Sequence, residues 1–341
     1  MNKITYLKKL GMKKLFFSVG TAIALTVLIT ACNKNNSNGS GPSASTGTTT
    51  SQLQTQSDDE TQVSNEMDAA TNDANNALNS QSSVSGAAST SYSSPIVTDG
   101  GTGTVIFNDL ICDATVTIDT VAGQRVITIT YNGSNCWGNR IRTGTVVISI
   151  PVGVHWKDQG AVVTVSIQNL KITRLRDNKT ITLNGTYTYT NVTGGLLKDL
   201  ATLGTITHTI AADSVTIEFA DSATRIWSVA KQRVFTYNDG VVISTTGTHS
   251  DGTNTNVAIW GTNRYGNAFE TLITQPMTIA QSCDYRLVSG QTENIRPKIT
   301  TTITYGLDAN GDPTGCPGTG TYYFKAVWVI DGKTYTYIAP Y

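Results

Sequence analysis

Val163 to Gln168 read Val-Thr-Val-Ser-Ile-Gln, an alternation of aliphatic with hydroxyl or amide side chains. Successive side chains of a β-strand point to opposite faces, so this stretch predicts a strand with one buried face and one wet face. The pattern recurs at residues 299–305, which read Ile-Thr-Thr-Thr-Ile-Thr-Tyr. Strands of this kind are typical of antiparallel sheets, because parallel sheets are buried on both faces.

Short runs of Gly, Asn and Asp separate the strand patterns. Asp331-Gly332 is a strong two-residue hairpin signal, and similar turns are predicted at 121–124, 176–179 and 238–240. Successive hairpins make a meander. Residues 95–341 are therefore predicted to form an all-β domain, an antiparallel meander arranged as a sandwich or as a curved, open, barrel-like sheet. Leu196 to Leu203 interrupts the pattern and predicts a helical turn over a sheet end.

The segment before the β domain has a different composition. Residues 32–57 are mostly Ser, Thr, Asn, Gly and Gln, which bury little apolar surface, so a disordered tether is expected. Residues 58–79 predict one short helix, with Ser57 as its cap and Glu60 completing a capping box. Residues 80–94 are expected to be a second linker.

The predicted helix has a narrow, Ala-rich apolar stripe. Its members recur at spacings of three and four: Val63, Met67, Ala70, Ala74 and Ala77 or Leu78. Two interpretations are open. The helix packs weakly on the β domain or is a solvated spacer, or the stripe serves docking or self-association. We favour the first, because a short Ala-rich seam is marginal on its own.

The N-terminus has the pattern of an export signal. Residues 1–14 contain five Lys and no acid, and an apolar run from Leu15 to Ile29 follows. This run is shorter than the roughly 20 residues that a spanning helix needs, so residues 1–31 predict a cleaved signal peptide rather than a membrane anchor.

The end of that segment, Ile29-Thr30-Ala31-Cys32, resembles the lipobox of bacterial lipoproteins. The resemblance implies that cleavage leaves Cys32 as the first residue and that its thiol carries acyl chains. Because each buried methylene contributes about 0.8 kcal/mol, two or three chains anchor firmly. The protein is then expected in the cell envelope, with Asn33 after the Cys favouring the outer membrane. The membrane is the expected partner of Cys32.

Charge excludes one class of partner. The signal holds five of the 24 basic residues, so residues 32–341 carry 19 basic and 24 acidic residues, a net charge of −5. Residues 33–95 carry all of that excess and leave the β domain neutral. No basic patch is visible that would release counterions from a nucleic acid, so nucleic-acid binding is not expected.

Four cysteines follow Cys32, namely Cys112, Cys136, Cys283 and Cys316. An even number in an exported chain indicates disulfides, and four cysteines allow three pairings. Proximity in sequence favours Cys112–Cys136 and Cys283–Cys316. A zinc site is the disfavoured alternative, because the chain has no C-x-x-C pair and only three His.

No motif of a known catalytic or cofactor site is present, so neither an enzyme nor a cofactor is predicted. His155, His208 and His249 are isolated and are interpreted as surface or structural residues. Asp308, Asn310 and Asp312 alternate like the start of a calcium loop. The acid expected at position twelve is replaced by Thr319, and the same residue types form ordinary turns, so no metal is predicted there.

Aromatic residues are the remaining candidates for ligand contact. Trp137 and Trp156 lie beside turn sequences, where partial exposure is expected. Exposed aromatics stack on sugars or contact proteins. Trp227, Trp260 and Trp328 lie in strand patterns and are expected in the core.

Three stretches carry a further resemblance. They are residues 127–136 (Ile-Thr-Ile-Thr-Tyr-Asn-Gly-Ser-Asn-Cys), the strand start Arg140-Ile141-Arg142-Thr143-Gly144, and the run from Asn184-Gly185-Thr186 to Asn191. Together they resemble β-rich, lipobox-bearing proteins of the Bacteroidota. The resemblance covers most of residues 100–341. It implies an envelope lipoprotein and supplies no activity and no catalytic residue.

The function expected from the sequence is therefore a membrane-anchored, non-enzymatic lipoprotein that presents a β-rich binding or structural module. The alternatives are a surface protein that binds glycans through Trp137 and Trp156, a carrier of lipids or amphiphiles on an apolar face of the sheet and, with the least support, a hydrolase. A glycan or another protein is the expected partner of the β domain.

Overall fold

The computed structural model describes residues 49–86, 111–318 and 320–341. The signal peptide, Cys32 and most of the tether and second linker lie outside the described residues. Among those that are described, no helix is both long and apolar enough to cross a membrane.

The described residues contain three α-helices: α1 (Thr50–Ser80), α2 (Ser82–Ser85) and α3 (Leu200–Leu203). The predicted helix exists but begins eight residues earlier than expected, inside the segment predicted to be a disordered tether. Its cap is Thr49, whose hydroxyl accepts from the Gln52 amide while the Gln52 side chain accepts from the Thr49 amide. Ser57 is therefore not the cap. It lies within the helix, and its hydroxyl donates to the Leu53 carbonyl.

The predicted all-β meander is confirmed. Fourteen strands form one antiparallel sheet, with each strand paired to the next along the chain except around β8 and β9. These two short strands both lie between β7 and β10, which they pair with along different parts. The bounds are β1 Ala114–Val121, β2 Gln124–Ser134, β3 Arg140–Pro151, β4 Ala161–Arg174, β5 Lys179–Asn191, β6 Thr205–Phe219, β7 Thr224–Tyr237, β8 Val241–Gly247, β9 Val257–Thr262, β10 Ala268–Ala280, β11 Arg286–Arg296, β12 Ile299–Leu307, β13 Tyr323–Ile330 and β14 Lys333–Pro340.

The local patterns behave as predicted. Val163, Val165 and Ile167 are buried on β4, while Thr164 and Gln168 face out. The β13–β14 hairpin turns at Asp331 and Gly332, which both have positive φ, as a two-residue turn with the twist of its strands requires. Leu197 to Leu203 forms the expected helical turn, and Leu197 and Leu200 are buried there.

The sheet is bent by a line of bulges that crosses neighbouring strands. The register shifts between β3 and β4, β4 and β5, β5 and β6, and β6 and β7 at adjacent positions. Gly144 marks the first shift, because a Cβ there would collide with the backbone of Asn169 on β4. Bulges bend strands and increase their twist, so this line curves the sheet.

The sheet curves around α1. Four consecutive helix residues point in four directions, about 100° apart, and each reaches a different part of the sheet. Asp58 meets β4 and β5, Asp59 meets Arg264 in the β9–β10 turn, Glu60 meets β7, β10 and β11, and Thr61 meets Tyr305 of β12. The helix is thus enclosed by the sheet.

The expectation of a weakly packed or solvated helix was wrong. Nineteen of the 31 residues of α1 are buried, and they include five of its six acids. A polar helix can be buried in this way only if its charges are paired. Each acid has a cationic partner on the sheet or its turns, as in the pairs Asp58–Arg174, Asp59–Arg264, Glu60–Arg225, Glu66–Arg140, Asp68–Arg233 and Asp73–Arg142.

Candidate cavity beside the central helix

A cavity of about 440 Å³ lies beside α1. One wall is the helix, a second is the β2–β3 turn with the start of β3, and a third is the β10–β11 turn with the end of the β12–β13 connection. Some lining residues, such as Trp137 and Thr321, are exposed, whereas others, such as Asp73 and Ile243, are buried. The cavity is therefore a cleft that opens to the surface.

The helix wall is rich in amides. Asn65, Asp68, Asn72 and Asn76 recur at spacings of three and four, so they share one face of α1, and Ala69 lies beside Asp68. Asn75 lies beside this face and also lines the cavity. The same period was read in the sequence for the apolar stripe. The repeat of Asn residues was the only sign of this wall in the sequence. By itself, the repeat does not show whether the helix face meets solvent or a cavity.

Among these amides, Asn76 is buried and lacks a hydrogen-bond partner within the described parts of the chain. It is only 6% exposed, and its side chain has no hydrogen-bond partner among the described residues. Asn65 likewise has no partner there and is half-buried. No atom of either amide is among the fully buried side-chain atoms without a partner, so both amides face the open space of the cavity. These two side chains therefore present free donors and acceptors to whatever occupies the cavity.

The opposite walls are aromatic and aliphatic. Trp137, in the β2–β3 turn, is 45% exposed, and Tyr322 and Tyr341 stack with their ring centroids 6.1 Å apart. The Tyr341 hydroxyl donates to the Leu287 carbonyl at 2.8 Å, which fixes its ring. Aliphatic contacts complete this side of the cavity, from Val241, Ile243, Ile279 and Leu287.

The carboxylates lining the cavity from α1 are all paired. Glu66 accepts from Arg140. Asp73 accepts from Arg142 and from the Tyr131 hydroxyl, both at 2.8 Å. Burial outweighs these partners and raises the pKa of Asp73 to about 6.

Asp68 shows the opposite balance. Burial raises the pKa of its carboxyl, but Lys231 and Arg233 together outweigh burial and hold the pKa below its usual value. The Arg233 guanidinium lies 2.6 Å from Asp68 Oδ1 and the Lys231 ammonium 3.4 Å from it. The helix wall of the cavity therefore carries charges that are neutralised within the protein.

The predicted disulfides are confirmed, and both lie beside the cavity. Cys112–Cys136 immediately precedes Trp137, and Cys283–Cys316 connects the β10–β11 turn with the β12–β13 connection. The pairing rules out the alternative in which these cysteines bind zinc. Two of the cavity walls are turns that a covalent bridge holds in place.

Arg286 adds to this bracing. Its guanidinium donates to the carbonyls of Cys283, Gly318 and Gly320, and it lies 5.3 Å from the centre of the Tyr322 ring. The cation therefore ties together the two segments that the second disulfide joins.

Trp156 was expected to be partly exposed, and this is wrong. It is fully buried and does not line the cavity. Its amide donates to the Val84 carbonyl at 2.8 Å, its carbonyl accepts from Asn191, and its ring packs edge-on against His208. The position of Trp156 beside a turn predicted exposure wrongly, because α2 covers this turn. Of the strand tryptophans, Trp227 and Trp328 are buried as expected, and Trp260 is half-buried.

The three histidines are dispersed. His208 is buried between Trp156 and Phe235, and burial, with the nearby Arg233, lowers its pKa to about 3. His249 stacks on Trp260 at 4.1 Å, and His155 lies 3.7 Å from Asp158 at the surface. None of them lines the cavity.

The Asp308 loop is organised as a turn. Asp308 Oδ1 accepts from the amides of Asn310 and Asp312, and Lys325 donates to the Gly311 carbonyl. Within the parts of the chain that the structure describes, no group of three or more His, Cys, Asp or Glu side chains is arranged to hold a metal ion.

Cys32, the predicted lipidation site, lies outside the described residues. Compared with protein-family models, with curated proteins and with solved structures, the chain matches none of them.

Proposed function

We propose that this protein is a lipid-anchored protein of the cell envelope whose β domain is a non-enzymatic module that binds a neutral saccharide in the cavity beside α1. The observation that carries the proposal is Asn76, a buried amide that lines the cavity and has no partner among the described residues. The anchor at Cys32 rests on the lipobox resemblance.

The chemistry of the walls matches a sugar. A carboxamide both donates and accepts, as a ring of hydroxyl groups requires. The C–H faces of a pyranose pack against aromatic rings, and the exposed ring of Trp137 supplies one on the opposite wall. A volume of about 440 Å³ is within the range of small-ligand sites.

The charges favour a neutral ligand. The acids of the helix wall are committed to Arg or Lys partners, and Arg286 is committed to backbone carbonyls. An ionic ligand would have to compete with these pairs.

The cavity is less suited to a lipid or other amphiphile. The concave face of the sheet, where an acyl chain would lie, is occupied by α1. In the remaining space a chain would contact the amides of Asn65 and Asn76 and leave them without partners. Co-purifying lipid is therefore the result that would favour the alternative.

Binding is tested with the full-length protein in detergent on an array of neutral glycans, followed by calorimetry on the best hit. Asn76→Leu removes the free amide and is expected to weaken binding at least tenfold, because a site built to hydrogen-bond discriminates strongly. Trp137→Ala is expected to weaken binding severalfold. Tyr237→Ala removes an equally exposed aromatic outside the cavity and is the matched control. No wild-type binding to any neutral glycan would sink the proposed ligand.

The anchor is tested separately. Cys32→Ala is expected to move the protein from the membrane fraction to the soluble fraction of cells. If the variant stays with the membranes, Cys32 is not the anchor. Separation of inner and outer membranes on a density gradient then tests the location that Asn33 favours.

A further inference from the structure

The charges of α1 and of the sheet are segregated. The helix carries six acids and no base. Their partners all lie on the sheet and its turns, and seven of them, here termed the inner cations, are mostly or fully buried: Arg140, Arg142, Arg174, Arg225, Lys231, Arg233 and Arg264. Four of the seven, Arg140, Arg225, Lys231 and Arg233, have their only ion-pair partner among the described residues on α1. Without the helix these four cations would lose that partner. The inner face of the sheet is therefore complementary to an acidic helix.

Nothing in the contacts requires that helix to come from the same chain. No strand of the sheet pairs with α1, and the helix is held by side chains. The chain continues from α1 into α2, and the 24 residues 87–110 separate the end of α2 from the first described residue of the β domain. A chain of that length spans up to about 80 Å when extended, whereas α1 is about 46 Å long. The connection is thus long enough to reach a neighbouring molecule.

We propose that the inner cations form a binding site for an acidic helix and that this site accepts α1 of a second copy of the chain, giving a domain-swapped dimer. The swapped helix makes the same ion pairs as the native one, which is why swapping is a low-cost route to dimers. At low protein concentration the native helix wins, because its tether gives it an effective concentration in the millimolar range. The proposal does not depend on the ligand of the cavity.

The test uses two full-length variants with reversed charges. The helix-reversed variant carries Asp59→Arg and Glu66→Arg, and the sheet-reversed variant carries Arg140→Glu and Arg264→Glu. Asp59 and Arg264 form a bidentate pair at 2.6 and 2.7 Å, and Glu66 and Arg140 form the other pair. In either variant alone, like charges meet inside the sheet. In a swapped dimer of the two, one sheet regains the native pairs and the other receives the reversed pairs.

The variants are refolded separately and as an equimolar mixture, and native mass spectrometry distinguishes them by mass. The mixture is expected to give a 1:1 dimer at least tenfold in excess of either homodimer. The chain with all four substitutions is the control and is expected to fold as a monomer, because its own helix and sheet match again. The proposal is overturned if the mixture gives no 1:1 dimer while this control folds, or if each variant alone is a stable monomer.

If the control does not fold, the proposal is tested with two preparations of the wild-type chain, each carrying a different isotope label. They are refolded together at about 1 μM and about 1 mM, the second concentration being close to that of the tethered helix. Mixed-label dimers that increase with concentration support exchange of α1. Monomers at both concentrations overturn it.

Discussion

Glu60 of α1 and Arg225 of β7 form an ion pair in which each residue is only 1% exposed. Glu60 also accepts from Thr271 at 2.9 Å, and the Arg225 guanidinium lies 4.1 Å from the centre of the Phe269 ring. The two residues are 165 positions apart in the sequence. The pair therefore joins the helix to the sheet at a point that water does not reach.

Removing one partner of this pair is expected to be costly. Arg225→Ala leaves a buried carboxylate without its cation and should lower the free energy of unfolding by about 3–5 kcal/mol, measured by urea denaturation. Replacing both residues with Met should cost less than the single change, because neither member of the pair is left behind as a buried charge. Asp221→Ala breaks the pair of Arg264 with an exposed carboxylate and is the control, with an expected loss under about 1 kcal/mol. Equal losses at the two sites would contradict the assigned burial.

His208 should make stability fall in acid. Its folded pKa is lowered to about 3, and the unfolded value is near 6.5, so the unfolded chain binds the proton first. The contribution of neutral His208 is complete above pH 6.5 and is lost as the pH falls towards 3. Relative to His208→Phe, the wild type should lose on the order of 4 kcal/mol between pH 7 and pH 3.5. His155→Phe controls for the loss of an imidazole at the surface. A difference between wild type and His208→Phe that does not change with pH would rule out the buried neutral imidazole.

Two acids of the cavity should respond to pH with opposite sign. The pKa of Asp73 is raised to about 6, so its contribution is complete below about pH 3.8 and is lost as the pH rises through 6. Wild type should therefore gain about 2.5 kcal/mol over Asp73→Asn as the pH falls from 7.5 to 4. The pKa of Asp68 is lowered, so wild type should lose stability relative to Asp68→Asn as the pH falls below its unfolded value. Slopes of the same sign for both variants would show that the pairing is wrongly assigned.

Removing Trp156 should lower stability far more than removing Trp137, although both residues lie beside turns. Trp156→Ala opens a cavity beside His208 and should cost about 3–5 kcal/mol in the free energy of unfolding. Trp137→Ala, at the exposed rim, should change it by less than about 0.5 kcal/mol. Thermal unfolding followed by circular dichroism measures both. A large loss at Trp137 would mean that its ring supports the fold rather than facing a ligand.

Much of the sheet could be predicted because its determinants are local. Alternation in residues 163–168 depends on neighbours within a few positions, and the Asp331-Gly332 turn depends on two residues that tolerate positive φ. The pairings Cys112–Cys136 and Cys283–Cys316 were also predictable, since both bridges close short stretches between neighbouring turns.

The cavity was predicted only in part. Trp137 and Trp156 were both predicted to be exposed aromatics that contact a ligand. Trp137 does line the cavity, whereas Trp156 is buried away from it. The difference is the contact of Trp156 with α2, which is 72 residues away at Val84. Asn65 and Asn76 were not predicted, because an Asn repeat on a helix is equally consistent with a solvated face.

By itself, then, the sequence determined that residues 114–340 alternate as antiparallel strands, that the cysteines of neighbouring turns pair, and that an acidic segment precedes them as a helix. Only the tertiary structure decided that this helix runs inside the sheet and that one of its faces is left open to a cavity. The reason is physical. A polar helix looks solvated by every local rule, and its burial becomes favourable only through cations such as Arg225 that the fold brings to it from more than a hundred residues away.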